Sequence, residues 1–265
     1  MTDPVPTSIS LVRSNDAGRG IRWWADSITW LFGDIARLGV WVAMLICFFL
    51  LLTPLNWFPF IGSVASYLLW FVFSGGLMVA ARKTGRGQTP SFGDLFAGFG
   101  PQGGALVGAG LLILAASLAV VGLMLAVGLG AFVGSMLSAA SLADLEARPL
   151  AVLSIGWGSL LLLLCCLFLF VPISMAAWLA PALIMLRGAS PVDALRMSLA
   201  ACRRNLGALT VYGLVFVGLA FVATLMFLIG WIFLVPLTFL STYAAFRDMF
   251  DTEVEVLDAV ASQPS

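Results

Sequence analysis

Two clusters of basic side chains are the residues of this chain whose types and spacing could do chemistry. The first cluster closes a long apolar run and the second lies on a short amphipathic segment; together they comprise Arg82, Lys83, Arg86, Arg196, Arg203 and Arg204. Guanidinium and ammonium groups bind phosphate and carboxylate oxygens, at roughly 1 kcal/mol per residue near an anionic membrane surface. We therefore predict that these residues contact anionic lipid or a protein partner. The alternative is that they only fix the orientation of the chain, the default role for most such residues.

The residue types of the chain argue against catalysis and against cofactor binding. The chain contains no histidine, so the usual Ser-His and Cys-His nucleophile pairs cannot form. Its four cysteines have neither C-x-x-C nor metal-ligand spacing. Residues 98–103 match G-x-G-x-x-G, but no strand precedes them as a dinucleotide site requires. We predict no catalytic residue, no cofactor, no metal and no nucleic-acid partner, and a protein that is not an enzyme.

The elements that position the basic clusters are long apolar runs. At 62% hydrophobic and 10% charged residues, with a mean hydropathy of +1.08, the composition is that of an integral membrane protein. About 20 apolar residues cross the hydrocarbon core of a bilayer. On that measure we predict six spans, at about 38–55, 60–81, 104–127, within 150–186, 207–229 and 231–246.

Two of the apolar runs, 104–141 and 150–186, are longer than one crossing needs. For the first we predict a crossing that ends near residue 127, followed by a kinked extension or a short outer-leaflet helix. For the second we predict kinks at Pro172 and Pro181, and we expect Pro236 to kink the sixth span.

Short amphipathic segments precede alternate spans. Ser190 and Asp193 form a Ser-x-x-acid capping box that starts a helix, and Ser91 and Asp94 repeat it. With the amphipathic segment 21–37, these boxes predict three units, each an interfacial helix followed by two spans. The apolar arcs at helical spacing, which are typical of helices that lie in a membrane interface, are Trp24, Ile28, Leu31 and Ile35 in the first and Val192, Leu195, Leu199 and Cys202 in the last.

The predicted fold is therefore all-α, a polytopic membrane helix bundle of six transmembrane spans and three cytoplasmic-side interfacial amphipathic helices. Residues 18–247 form the membrane domain, between a disordered tail at 1–17 and an acidic cytoplasmic tail at 248–265. Of the 13 basic residues, only Arg148 lies on the opposite side from the rest in this arrangement. By the positive-inside rule, both termini are cytoplasmic. We also hypothesise that the acidic tail docks on the basic residues and competes with lipid or a partner for them.

Several motifs carry a family resemblance. They include RGIRWW at 19–24, SFGDLFAGF at 91–99, APAL at 180–183, CRRN at 202–205 and YAAFRD at 243–248. Together they resemble an uncharacterised family of bacterial six-span inner-membrane proteins, distantly similar to YciC-like proteins and to the membrane domain of glycerophosphodiester phosphodiesterases. The resemblance implies a six-span inner-membrane fold and brings no activity with it.

The function that we predict is that of a non-catalytic inner-membrane protein, an interaction or membrane-organising component that uses its basic interfacial helices. Its partners would be membrane lipids and a further protein or a second copy of the chain. The alternative is a transporter or lipid-translocating protein with a site between the Pro-kinked spans four and six. A third reading is an intramembrane enzyme.

Overall fold

The structure is a computed structural model that describes residues 12–138, 164–165, 167–226 and 229–250. In this part every regular element is helical and no strand occurs, which confirms the all-α prediction. In chain order the α-helices are α1 (Arg19–Phe32), α2 (Ile35–Leu52), α3 (Ile61–Gly85), α4 (Gly103–Ser138), α5 (167–178), α6 (Ala180–Arg187), α7 (Pro191–Arg204), α8 (Leu206–Leu225) and α9 (Ile229–Phe250). Two 3₁₀-helices, Thr53–Trp57 and Phe92–Phe99, complete the described elements.

Among the described residues, six helical segments are long and apolar enough to cross a membrane. They are Ile35–Trp57, Ile61–Gly85, Gly103–Gly130, Leu167–Arg187, Leu206–Leu225 and Ile229–Phe250. The number and order of the predicted spans are confirmed, and the chain is a multi-pass membrane protein. No charged residue lies between residues 38 and 81, 103 and 138, 164 and 186, or 206 and 246.

Helix α4 differs from the expected interruption near residue 127. It continues without a break to Ser138, where the described part of this region ends. A glycine in a helix costs about 1 kcal/mol relative to alanine but keeps its N–H, so the glycines of this run weaken the helix without ending it. Most of the run 150–186 before residue 164 lies outside the described residues.

The prolines of the later spans behave in two ways. Pro181 is the second residue of α6 and follows a break at Leu179, as the sequence predicts. Pro172 lies within α5 and Pro236 within α9, and neither ends its helix.

Residues 1–110 and 176–265 group into one compact unit. In its described part, α3 and α9 are the most buried spans, and α8 is the most exposed. Helix α1 packs against α8 and α9, while α6 packs against α3 and α7. The largest buried side chains here include Trp23, Trp24, Trp41, Phe48 and Phe250.

Residues 111–175 form a second unit. Its described residues belong to α4 and to the helical residues 164–165 and 167–175. Large apolar side chains such as Leu118, Leu125 and Phe168 are exposed on it, as expected for helices whose surroundings are lipid.

The ends of the chain differ from the predicted domain limits where they are described. Residues 12–16, assigned to a disordered tail, are held by hydrogen bonds to Asn205 and Met249. Residues 248–250, assigned to the acidic tail, form the last turn of α9. Residues 1–11 and 251–265 lie outside the described part, and so does the predicted docking of the acidic tail.

Candidate functional site

Charged side chains gather where the helix ends meet, and we call this region the charged end of the bundle. Arg37, at the start of α2, donates to the carbonyl of Gly87, beyond the end of α3 (Nη2 to O, 3.2 Å). Arg187, at the end of α6, donates to the carbonyl of Phe250 at the end of α9, and its guanidinium lies 5.1 Å from the centre of that ring. Arg187 thereby joins the end of α6 to Phe250, the last described residue of the chain.

The first predicted cluster, Arg82, Lys83 and Arg86, lies at the end of α3. Lys83 Nζ donates to Asp94 Oδ1 at 2.7 Å, and the Asp94 side chain is only 10% exposed. A charge-assisted bond to a buried carboxylate fixes Lys83 in a structural role. Arg82 is half-exposed and has no ion-pair partner among the described residues, and Arg86 is exposed.

Asp94 itself belongs to the 3₁₀-helix Phe92–Phe99, where the predicted capping box forms. Asp94 Oδ2 accepts from the Ser91 backbone N–H at 2.8 Å. This segment runs closely along α3, since a β-carbon at Gly98 would lie 1.9 Å from the Val72 carbonyl oxygen. The second interfacial helix is thus a short 3₁₀-helix bound to α3 rather than a separate amphipathic α-helix.

The second predicted cluster, Arg196, Arg203 and Arg204, lies on α7, as the capping box of Ser190 and Asp193 predicts. All three side chains are exposed. Arg204 Nη1 donates to the Val12 carbonyl at 3.0 Å and so holds the N-terminal segment. Within the described part of the chain, Arg196 and Arg203 have no ion-pair partner. The two clusters lie on different elements, and α6 packs against both of those elements.

The face of α7 that packs against protein differs from the apolar arc of the sequence pattern. Mainly small side chains face the protein, namely Ala194, Met197, Ser198, Ala201 and Cys202. Val192 is exposed, and Leu195 and Leu199 are half-exposed. Of the predicted arc, only Cys202 is buried. In a membrane protein lipid also covers apolar side chains, so an apolar arc does not by itself identify the face that packs against protein.

The same difference holds for α1. Its protein face consists of Gly20, Trp23, Trp24, Ser27 and Leu31, whereas Ile28 and Ile35 of the predicted arc are exposed. Trp23 and Trp24 are buried inside the bundle. Trp24 stacks on Tyr212 of α8 with 4.9 Å between ring centres, and its indole N–H donates to the Tyr212 carbonyl at 3.2 Å.

An N-terminal arm, residues 12–18, is bound at the junction of α7 and α8. Asn205 Nδ2 donates to the Arg13 carbonyl at 2.9 Å, while Asn205 Oδ1 accepts from the Asn15 N–H at 2.6 Å. The Arg13 N–H in turn donates to the Met249 carbonyl at 3.1 Å. One asparagine therefore joins the beginning of the described chain to the α7–α8 junction, and the arm joins that junction to the end of α9.

Asp248 connects α9 to α1. Its carboxylate accepts a hydrogen bond from Trp23 Nε1 at 2.7 Å and pairs with the Arg19 guanidinium at 2.8 Å. The side chain is 12% exposed, so both interactions are sheltered from water. The second pair between these helices, Arg247 with Asp26, is longer, at 3.8 Å, and more exposed.

At the break between α5 and α6, a side chain of α7 provides the hydrogen-bond acceptor that the backbone lacks. The Leu179 backbone N–H donates to Ser198 Oγ at 3.1 Å, and both residues are fully buried. Ser198 also contacts the Cys202 thiol, but burial dominates and raises the pKa of that thiol to about 12. Among the described residues, no three His, Cys, Asp or Glu side chains come together in a way that could hold a metal ion.

Comparison with known proteins matches residues 105–263 to DUF7847, a domain of unknown function. The match covers more than half of the chain. This chain belongs to the DUF7847 family. No curated protein and no solved structure matches it. The comparisons therefore do not show the similarity to YciC-like proteins or to the membrane domain of glycerophosphodiester phosphodiesterases.

The DUF7847 match separates the two predicted clusters. Arg196, Arg203 and Arg204 lie within it, whereas the cluster at the end of α3 precedes it. The residues that organise the charged end but were not predicted are Asn205 and Asp248, both within the match. A signal for each was present in the sequence: Asn205 separates two helical segments, and Asp248 lies two residues after the long charge-free run that ends at Phe246.

Proposed function

We propose that this DUF7847 protein is a non-catalytic component of the bacterial inner membrane that acts by interaction, through the basic face of its surface helices. The observation that carries the proposal is the arrangement of α7. This helix joins the spans Leu167–Arg187 and Leu206–Leu225 directly, and it presents Arg196 and Arg203 outward with no described carboxylate paired to them.

The charge distribution supports a cytoplasmic charged end. All of the described basic residues lie on α1, α7, the N-terminal arm or the turns next to the span ends: Arg13, Arg19, Arg22, Arg37, Arg82, Lys83, Arg86, Arg187, Arg196, Arg203, Arg204 and Arg247. The positive-inside rule assigns such an end to the cytoplasm, and six spans then put both termini there.

The interior of the spans supports the non-catalytic part of the proposal. Several hydroxyl groups in the described spans donate to carbonyls of their own helices, as Ser74 does to Phe71 and Thr210 does to Leu206, whereas Ser66 Oγ in α3 is buried without a partner. Such bonds satisfy the polar group within the helix and leave no need for a ligand. Intramembrane ionisable residues commonly mark ion or proton paths. The apolar runs 38–81, 103–138, 164–186 and 206–246 contain no Asp, Glu, Lys, Arg or His.

The transport alternative requires a binding site between spans four and six. The broken helix in span four is the feature that would frame it, and there Ser198 already occupies the free N–H of Leu179. That bond supports the view that the break serves helix packing and not ligand binding, and it favours the interaction function over transport.

The test is reconstitution of the purified full chain, followed by native mass spectrometry in mixed lipid and by a lipid-flux assay in proteoliposomes. We expect retention of anionic lipid or of a protein partner, with flux equal to that of empty vesicles. Flux above that background would overturn the proposal in favour of transport. Retention of neither anionic lipid nor a partner would also overturn it.

A further inference from the structure

Helix α7 is connected by short links to a candidate membrane span at each of its ends. Its first residue follows the span Leu167–Arg187 by three residues, and its last is separated from the span Leu206–Leu225 by Asn205 alone. Both of these span ends belong to the charged end. A helix held in this way at both ends lies beside lipid headgroups along its whole length.

Three arcs follow one another around α7 at about 100° per residue. The first faces the protein and carries the buried side chains from Ala194 to Cys202. The second carries Val192 and Leu199, which are exposed and half-exposed. Arg196 and Arg203, two turns apart on one line, come next to these apolar side chains. The arginines therefore lie at the boundary between an apolar strip and the polar side of the helix.

Among the described residues, no carboxylate neutralises the arginines on this outer surface. Asp193 is the only acidic residue on α7, and its carboxylate accepts a hydrogen bond from Ser190 Oγ at 2.6 Å in the N-cap. Arg204 is engaged with the Val12 carbonyl. In the described part of the chain no carboxylate lies within 4.0 Å of Arg196 or Arg203. Two guanidinium groups are thus presented on the outer surface of α7.

We propose that Arg196 and Arg203 hold the phosphates of anionic phospholipids, with the adjoining acyl chains against Val192 and Leu199. This proposal rests on the proposed function and names its ligand. Planar guanidinium groups bind phosphate oxygens in a bidentate manner, and the apolar strip beside them matches the acyl region next to a headgroup. About 10 Å of helix rise separates the two arginines, so each contacts its own phosphate. An acidic protein would need the charges but not the strip.

The experiment is a titration of the detergent-solubilised full chain with phosphatidylglycerol and with phosphatidylcholine, read by native mass spectrometry. The test variant is the double substitution Arg196→Gln and Arg203→Gln. We expect a loss of phosphatidylglycerol affinity of about fivefold per arginine, hence about 25-fold for both, and unchanged phosphatidylcholine affinity. Both side chains are exposed, and an unchanged melting temperature checks that the variant is folded.

The matched control removes the same charge elsewhere at the charged end, by Arg22→Gln with Arg82→Gln. Both residues lie outside α7 and have no ion-pair partner in the described part. We expect the phosphatidylglycerol affinity of this control to fall less than threefold. Equal losses in the two double variants would overturn the α7 site while leaving the proposed function intact. The α7 site would also be overturned, and the proposed function left intact, if the wild-type chain retained a protein partner but bound phosphatidylglycerol no more tightly than phosphatidylcholine.

A third variant, Val192→Ser, separates bound lipid from free phosphate. It leaves both arginines in place and removes part of the apolar strip, so we expect weaker phosphatidylglycerol binding. Inorganic phosphate in large molar excess should not displace the lipid. Full displacement by phosphate, together with unchanged lipid affinity in Val192→Ser, would overturn the assignment to lipid.

Discussion

Trp23 of α1 donates its indole N–H to the carboxylate of Asp248 near the end of α9, 225 residues along the chain, at 2.7 Å. Arg19, one turn before Trp23, pairs with the same carboxylate at 2.8 Å. A surface helix is thus fastened to the final span by one acidic residue with two donors. The position of α1 on the bundle depends on that residue as well as on aromatic packing.

Asp248→Asn should destabilise the protein. The amide can still accept from Trp23 but loses its charge, so the ion pair with Arg19 is lost in a sheltered site. We expect the free energy of unfolding to fall by about 1–2 kcal/mol, measured by thermal or denaturant unfolding in detergent. Asp26→Asn is the matched control, since its pair with Arg247 is long and exposed. Equal stability of the two variants would contradict a structural role for Asp248.

Gly98→Ala should disrupt the contact between the 3₁₀-helix Phe92–Phe99 and α3. The added β-carbon would lie 1.9 Å from a backbone oxygen of Val72, and backbone cannot move aside as a flexible side chain can. We expect a loss of about 2 kcal/mol or more, seen as a lower melting temperature.

Gly104→Ala is the control for this substitution, because no atom lies within 4 Å of a β-carbon at Gly104. It should leave the stability unchanged or raise it slightly, as alanine is the better helix former. A Gly98→Ala protein as stable as the wild type would mean that the segment does not pack on α3 as described.

Ser198→Ala should leave the Leu179 N–H buried without an acceptor. An unsatisfied buried donor costs about 1–3 kcal/mol, so we expect a clear loss of stability in detergent unfolding. Ser174→Ala is the control, since Ser174 is exposed and donates only to the Val171 carbonyl of its own helix. Equal melting temperatures of the two serine variants would mean that Ser198 of α7 does not satisfy the Leu179 N–H at the break in span four.

The Cys202 thiol should resist alkylation in the folded protein. Burial raises the pKa of this thiol from its ordinary 9.0 to about 12, so at pH 8 almost no thiolate forms. Because the pKa of the Cys202 thiol is higher in the folded than in the unfolded protein, the contribution of the neutral thiol to the free energy of unfolding is complete below pH 9. That contribution is lost as the pH rises toward 12.

Peptide mapping after N-ethylmaleimide treatment checks this prediction. Cys202 should react slowly in mild detergent and rapidly after unfolding in dodecyl sulfate. An Ala25→Cys variant, exposed on α1, should react rapidly in both states. Rapid modification of Cys202 in the folded protein would contradict its burial on the protein-facing side of α7.

Local features of this fold could be predicted from the sequence. The caps at Ser91 and Ser190 depend on side chains three residues apart. Ser91 and Asp94 form the complete capping box, while Ser190 Oγ accepts from the Asp193 N–H and donates to the Asp193 carboxylate. The charge-free runs likewise set the number of spans. Each of these signals is complete within one segment of the chain.

The packing faces of the surface helices could not be predicted in the same way. Hydrophobic periodicity locates apolar side chains, and in a membrane such side chains meet either protein or lipid. What marks the protein faces is small or hydrogen-bonding residues: Gly20, whose β-carbon would lie 2.3 Å from the Ala208 carbonyl oxygen, and Ser198 on α7. These depend on partners far away in sequence.

The contacts of the N-terminal arm have a consequence for biosynthesis. The arm leaves the ribosome first, yet Asn205 is 190 residues from Asn15, and Met249, which accepts from Arg13, comes later still. Because synthesis proceeds at roughly 5–20 residues per second, the arm waits many seconds for its partners. Its docking is therefore completed only at a late step of assembly, and a chain truncated before α9 would keep the bonds to Asn205 but lack the bond from Arg13 to Met249.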